Sequence, residues 1–153
     1  MKKKIGIISL IVLLLDQVSK FGLEKNLIIN EKRTIIDNFF SLNLVHNTGA
    51  SFSILQNSKL LLIVISLLAL ILTVKYIKKF ECRFWNILAF GMFIGGLLGN
   101  LIDRIFRGYV IDFLDFIIFK YDFPIFNLAD TFIVLGVIMI MVSVLKGDGE
   151  NEA

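Results

Sequence analysis

Leu60-Leu61-Leu62-Ile63-Val64-Ile65-Ser66-Leu67-Leu68-Ala69-Leu70-Ile71-Leu72-Thr73-Val74 runs for fifteen residues with no charge and no polar stripe of helical period. With its flanks this stretch reaches the ~20 residues that carry a helix across the hydrocarbon of a bilayer. Comparable runs lie on either side, and the sequence predicts four spans at about residues 5–23, 60–77, 85–104 and 128–145. Residues 24–59 and 105–127 form two outer connections, within a single domain of residues 1–153. Composition agrees: 57% of the residues are apolar and the mean hydropathy is +0.83, above the range of a soluble domain of this size.

The net charge of +3 does not point to nucleic acid, because the basic residues stand in short groups beside the apolar runs, as membrane flanks do. A single cysteine, Cys82, excludes an internal disulfide, and one histidine, His46, offers no zinc ligand set. No cofactor is expected. Lys2, Lys3 and Lys4 ahead of Ile5 to Leu15 imitate a secretory signal peptide. Asp16-Gln17-Val18-Ser19-Lys20 then stands where a small-residue cleavage site belongs, so the segment is read as an uncleaved first span.

Basic residues before the first span and in the short turn holding Lys75, Lys78, Lys79 and Arg83 place both termini in the cytoplasm. That topology sends Asp16, Gln17 and Lys20 of the first span, Asn100, Asp103 and Arg104 of the third, and Asn127 and Asp130 of the fourth to the outer leaflet. Asn47 and Asp112 fall in the outer connections. Ionisable groups at membrane depth are costly, so their gathering on one side marks binding or reaction there. A conduction path, as in a small transporter, would need polar groups through the inner half as well. The recurring Gly91, Gly95, Gly96 and Gly99 suit close helix packing, and alone would fit a non-enzymatic assembly protein.

The first outer connection alternates around Ser41-Leu42-Asn43-Leu44-Val45-His46, which predicts a small twisted antiparallel sheet. In the second, Asp112 and Asp115 stand three residues apart among apolar residues, which predicts a short interfacial helix ended by Phe123-Pro124. The fold class is thus an all-α polytopic membrane protein with four transmembrane helices, a small extracytoplasmic β-sheet and a short interfacial helix.

Nucleophilic catalysis finds no serine or cysteine set against a base, since Ser19 and Lys20 are adjacent on a helix and point apart. Paired carboxylates are better supplied. Two aspartates sharing one proton can activate water and protonate a carbonyl, hydrolysing an amide without metal or covalent intermediate. Asp16, Asp103 and Asp112 all come near Asp130 in this topology, and span geometry does not choose among them. Asp16 with Lys20 also reads as an ion pair, and Asp103 with Arg104 as a capping or packing pair.

Five motifs in order carry a resemblance. They are Asp16-Gln17-Val18-Ser19-Lys20, Asn47-Thr48-Gly49-Ala50-Ser51-Phe52, Gly95 to Arg104, Val110-Ile111-Asp112-Phe113 and Phe126-Asn127-Leu128-Ala129-Asp130. Over nearly its whole length the chain resembles the lipoprotein signal peptidase family, also called signal peptidase II. The resemblance implies an aspartic endopeptidase of the bacterial cytoplasmic membrane with Asp112 and Asp130 as its catalytic pair. It implies a pocket of Asn47, Gly49, Asn100, Asp103, Arg104, Asn127 and Ala129, supported by Asp16 and Lys20. The implied substrate is a prolipoprotein cut before a diacylglyceryl-modified cysteine, with membrane lipids as the other partner and the enzyme a monomer. Leu97 and Ile111 depart mildly from the family pattern, as apolar exchanges.

Overall fold

A computed structural model describes residues 1–49, 56 and 58–147. Ala50, Ser51 and Phe52 of the second motif, together with Ser53, lie outside the described residues. Four helices follow the apolar runs: α1 (Lys2–Asn26), α2 (Lys59–Tyr76), α3 (Phe84–Phe106) and α4 (Leu128–Leu145). The shortest have 18 residues, roughly 27 Å of helix, enough to cross a hydrocarbon core. Each is apolar and long enough to span, so the chain is a multi-pass membrane protein.

Helix α3 is the centre of the bundle. Of its apolar window 56% is buried, against 28, 22 and 17% for α1, α2 and α4, which turn leucine and isoleucine outward. Glycine explains the close approach. A Cβ on Gly95 would meet the Ser9 carbonyl of α1 at 2.7 Å, and one on Gly96 would meet the Ala129 carbonyl of α4 at 2.5 Å. Both neighbours are backbone, which cannot rotate away, so α1 and α4 rest directly on α3.

The connections form one antiparallel sheet in the order β1-β2-β3-β4, from β1 (Lys32–Ile36), β2 (Phe40–Asn47), β3 (Val110–Ile118) and β4 (Tyr121–Asp122). The expected sheet in the first connection is present as β1 and β2. The expected interfacial helix is not: Val110–Ile118 is a strand, paired along β2 from Phe40↔Phe116 to Asn47↔Val110. Its run of Val, Ile and Phe has high strand propensity, and β2 offers it a hydrogen-bonding edge that the sequence alone does not reveal. The β3–β4 turn also went unseen, because Phe119 and Lys120 adopt φ of 50° and 65° without glycine or asparagine. The register of β2 slips by one residue between Leu42 and Val45, a bulge that sits just where Asp112 pairs with Val45.

One further backbone link matters for the site. Phe126 N–H donates to the Leu114 carbonyl at 3.1 Å, and its own carbonyl accepts from Leu114 N–H at 2.8 Å. The residue before Asn127 is therefore tied to the strand that holds Asp112.

Gly96→Ala is expected to cost about 1–3 kcal/mol by overpacking and to lower the melting temperature in detergent. Gly6→Ala is the control, since a Cβ there meets nothing within 4 Å and should not lower it.

Candidate active site

Lys20 lies on α1, wholly buried, and its ammonium has three donors to satisfy. Asp16 Oδ2 and Asp103 Oδ2 each stand 2.8 Å from it, and Asn100 Oδ1 accepts at 3.0 Å. All three protons are thereby used. Both carboxylates are also fully buried, so burial leaves one negative charge in excess, offset by Arg107 Nε at 3.4 Å from Asp103 Oδ1. Arg107 Nη1 continues to Glu24 at 2.6 Å, which closes the cluster at the end of α1.

The Asp16–Lys20 ion pair is thus present, whereas Asp103 pairs with Lys20 and Arg107 in place of the expected Arg104. Arg104 instead donates from Nη2 to the Gly49 carbonyl at 3.0 Å. Asp16 has a second task. Its Oδ1 accepts the Ala129 N–H at 3.0 Å, an anion placed on the first turn of α4 where the helix dipole favours it. Gly99 makes room, because a Cβ there would run into Asp16 Oδ2 and come within 3.3 Å of Ala129 Cβ.

Asn127 and Asp130 begin α4 as a capping box. Asn127 Oδ1 accepts Asp130 N–H at 2.9 Å while Asp130 Oδ2 accepts Asn127 N–H at 3.2 Å. This fixes one carboxylate oxygen of Asp130, and the other accepts Asn100 Nδ2 at 2.7 Å. Asn127 Nδ2 then reaches across to Asp112 Oδ1 at 2.6 Å, with Asn100 Oδ1 at 3.2 Å. Asp112 Oδ2 accepts Asn47 Nδ2 at 2.8 Å, and Asn47 Oδ1 is held by Gly49 N–H at 2.8 Å. Three amides therefore orient the two carboxylates, and two of them, Asn100 and Asn127, also bond each other.

Asp112 and Asp130 border a 480 Å³ cavity together with Asn47, Asn100 and Arg104. Its other walls are largely apolar, from Leu97 and Ile133 to Phe123 and Phe126. Burial, followed by the nearby charge of Asp130, pushes the Asp112 carboxyl up to about 7, although the Asn47 and Asn127 amides favour its ionised form. Asp112 is 3% exposed. A carboxyl titrating near 7 is protonated in part of the molecules at neutral pH, and Asp130 borders the same cavity.

Asp16, Asp103, Gly49, Asn127 and Ala129 do not border the cavity but stand behind its wall, as do the bonds of Lys20. Asp16 and Asp103 bond Lys20, neighbouring donors and Ala129 away from the cavity, while Asp112, its oxygens bonded to Asn47 and Asn127, borders it. The other candidates are spent elsewhere. Ser19 donates to the Asp16 carbonyl at 2.7 Å, Cys82 is exposed on the loop before α3, and His46 stacks on Tyr109 at 3.8 Å. Among the described residues no group of three or more His, Cys, Asp or Glu side chains is placed to hold a metal. At the opposite end of the bundle the Ser143 hydroxyl donates to Asn86 Oδ1, a neutral contact.

Sequence reasoning passed over Arg107 and Glu24, and the Phe123-Pro124-Ile125 stretch that walls the cavity. Arg107 was detectable, one helical turn beyond Asp103. The Phe123 stretch was not, since its role follows from where Phe126 pairs with β3.

The family model described as "Signal peptidase (SPase) II" matches residues 8–146. A lipoprotein signal peptidase of Streptococcus pneumoniae is 43% identical over 150 residues, covering 94% of this chain and 95% of the relative. One from Streptococcus agalactiae serotype Ia is 37% identical over 151 residues, covering 97% and 96%. Two solved structures described as a bacterial membrane enzyme superpose with TM-scores of 0.87 and 0.84. The first is 34% identical and covers 100% of this chain and 95% of its own; the second is 35% identical and covers 95% and 94%.

Lys20→Ala is expected to leave two buried carboxylates without their shared cation and to cost about 3–5 kcal/mol. Denaturant unfolding of the purified protein in detergent measures it, and a loss below about 1 kcal/mol would contradict the buried cluster described above.

Proposed function

Since this chain belongs to the signal peptidase II family, we propose that it is an aspartic endopeptidase that removes the signal peptide from diacylglyceryl-modified prolipoproteins, cutting before the lipidated cysteine. The observation that carries this reading is Asn127. Its side chain bonds Asp112 and its capping box holds Asp130, so the only two acids bordering the apolar cavity, among the described residues, are positioned by one residue.

Chemistry on such a pair runs without a covalent intermediate. The ionised carboxylate takes a proton from a water as its oxygen attacks the scissile carbonyl carbon, and the protonated partner donates to the carbonyl oxygen. The tetrahedral diol then collapses: the C–N bond breaks, and the leaving nitrogen takes up a proton from the pair. Asn47 and Asn100 keep each carboxylate turned to the cavity through these steps. Low dielectric among Leu97, Ile133 and Phe126 strengthens each of these interactions. The cavity is open to apolar side chains of α3 and α4, which suits a substrate whose signal segment and acyl chains lie in the membrane. An active site at the outer face, with both termini cytoplasmic, belongs to the same proposal, as does action as a monomer.

Asp112→Asn and Asp130→Asn are each expected to lower cleavage of a lipidated prolipopeptide in detergent by at least about 10³-fold while the melting temperature stays within a few degrees. Substantial cleavage by Asp112→Asn would remove it from the catalytic pair.

The pH profile supplies a second check. One member of the pair must be protonated to donate to the carbonyl oxygen, and Asp112 gives up its proton as pH rises through about 7. kcat/KM is therefore expected to fall on the alkaline side with an apparent pKa near 7, a value belonging to the coupled pair. Asn47→Ala removes a donor that favours the ionised form, so the alkaline limb should move to higher pH. Movement to lower pH would contradict the assignment.

A further inference from the structure

A second cavity, of 640 Å³, lies over the sheet and shares a wall with the first: Asn47, Asp112, Phe123, Pro124 and Ile125 border both. The two differ in chemistry. Beyond the shared wall the first is closed by Leu97, Ile133, Val134 and Leu135, and the second by Lys32, Asn43, His46, Asp115 and Asp122. Lys32 Nζ is 3.0 Å from Asp115 Oδ2, so those charges cancel, and Asp122 on the exposed β4 leaves the polar cavity with a carboxylate in excess. Asn43 Oδ1 is buried yet accepts no hydrogen bond among the described residues. Buried amide oxygens are ordinarily satisfied, and a peptide N–H is a fitting donor.

A prolipoprotein carries the same two chemistries on either side of the bond to be cut. Its signal segment and diacylglyceryl chains are apolar, and the mature polypeptide that follows the cysteine is polar. Resting on the peptidase reading above, we propose that the cavity over the sheet is the subsite for the first residues of the mature polypeptide. Asn43 Oδ1 accepts a main-chain N–H from them, and Asp122 with the Lys32–Asp115 pair sets which charges they bear. Asp112 stands in the common wall, so a substrate strand passing from one cavity to the other brings its carbonyl past the aspartates. The excess carboxylate favours a basic over an acidic side chain just after the cysteine.

Two synthetic lipidated prolipopeptides test this, identical except for Lys or Asp two residues after the cysteine, with the purified full chain in detergent. The readout is the ratio of their kcat/KM values, in which a general loss of activity or of folded protein cancels. The unaltered enzyme should prefer the Lys peptide, Asp122→Lys should lower the ratio about fivefold, and Lys32→Glu should raise it. Asp37→Lys, on the β1–β2 turn outside the cavity, should leave it in place. The same charges placed two residues before the cysteine should give a ratio that Asp122→Lys does not move. An unmoved ratio in Asp122→Lys, or one that follows the charge on the signal-peptide side, overturns the subsite and leaves the peptidase reading standing. Failure of the unaltered enzyme to cleave either peptide overturns both.

Discussion

A buried ammonium with three acceptors is the constraint on which the polar half of this molecule depends. Lys20 joins α1 to α3 through Asp103 and Asn100, and through Asp16 it reaches the first turn of α4. Placing such a charge in an apolar bundle is unfavourable unless every donor is met, and here the acceptors come from two helices, Asp16 on α1 and Asn100 with Asp103 on α3. The cluster consequently fixes the mutual height of three helices. Glycine at positions 95, 96 and 99 lets them come close enough for those bonds to form.

From that base the hydrogen bonds run outward in one direction. Lys20 holds Asn100 Oδ1, which leaves the Asn100 amide nitrogen free to turn to Asp130. Asn127 is held twice, by its cap on α4 and by Asn100, and its remaining donor goes to Asp112. The sheet completes the arrangement from the other side, since Phe126 pairs with Leu114 two residues along from Asp112. The carboxylates proposed to carry the reaction therefore belong to different elements, yet neither is free to move independently. The apolar cavity is walled by the bundle and the polar one by the sheet, and Asp112 stands in the wall between them.

How much of this was legible varies with the distance over which the information acts. The spans were readable because hydropathy and length are local properties, and the predicted 60–77 and 128–145 differ from α2 and α4 by a residue or less. The strand at Val110–Ile118 was misread because two acids three apart imitate a helix face, whereas its partner lies more than sixty residues away in β2. Asp103 was expected beside Arg104 on sequence adjacency. On a helix adjacent residues diverge, and the carboxylate turned to Lys20 and Arg107 instead.

By itself the sequence determined that this chain spans a membrane four times, that its costly polar residues collect toward one side, and, through five ordered motifs, which family it resembles. It did not distinguish Asp112 from Asp16 and Asp103, because all three lie near Asp130 in any topology the spans allow. Tertiary structure separated them by partner: two acids neutralise a buried lysine, and the third borders a cavity with Asp130. The physical reason is that a carboxylate's chemistry depends on which donors and how much water surround it, and those neighbours are supplied by helices and strands remote in the chain.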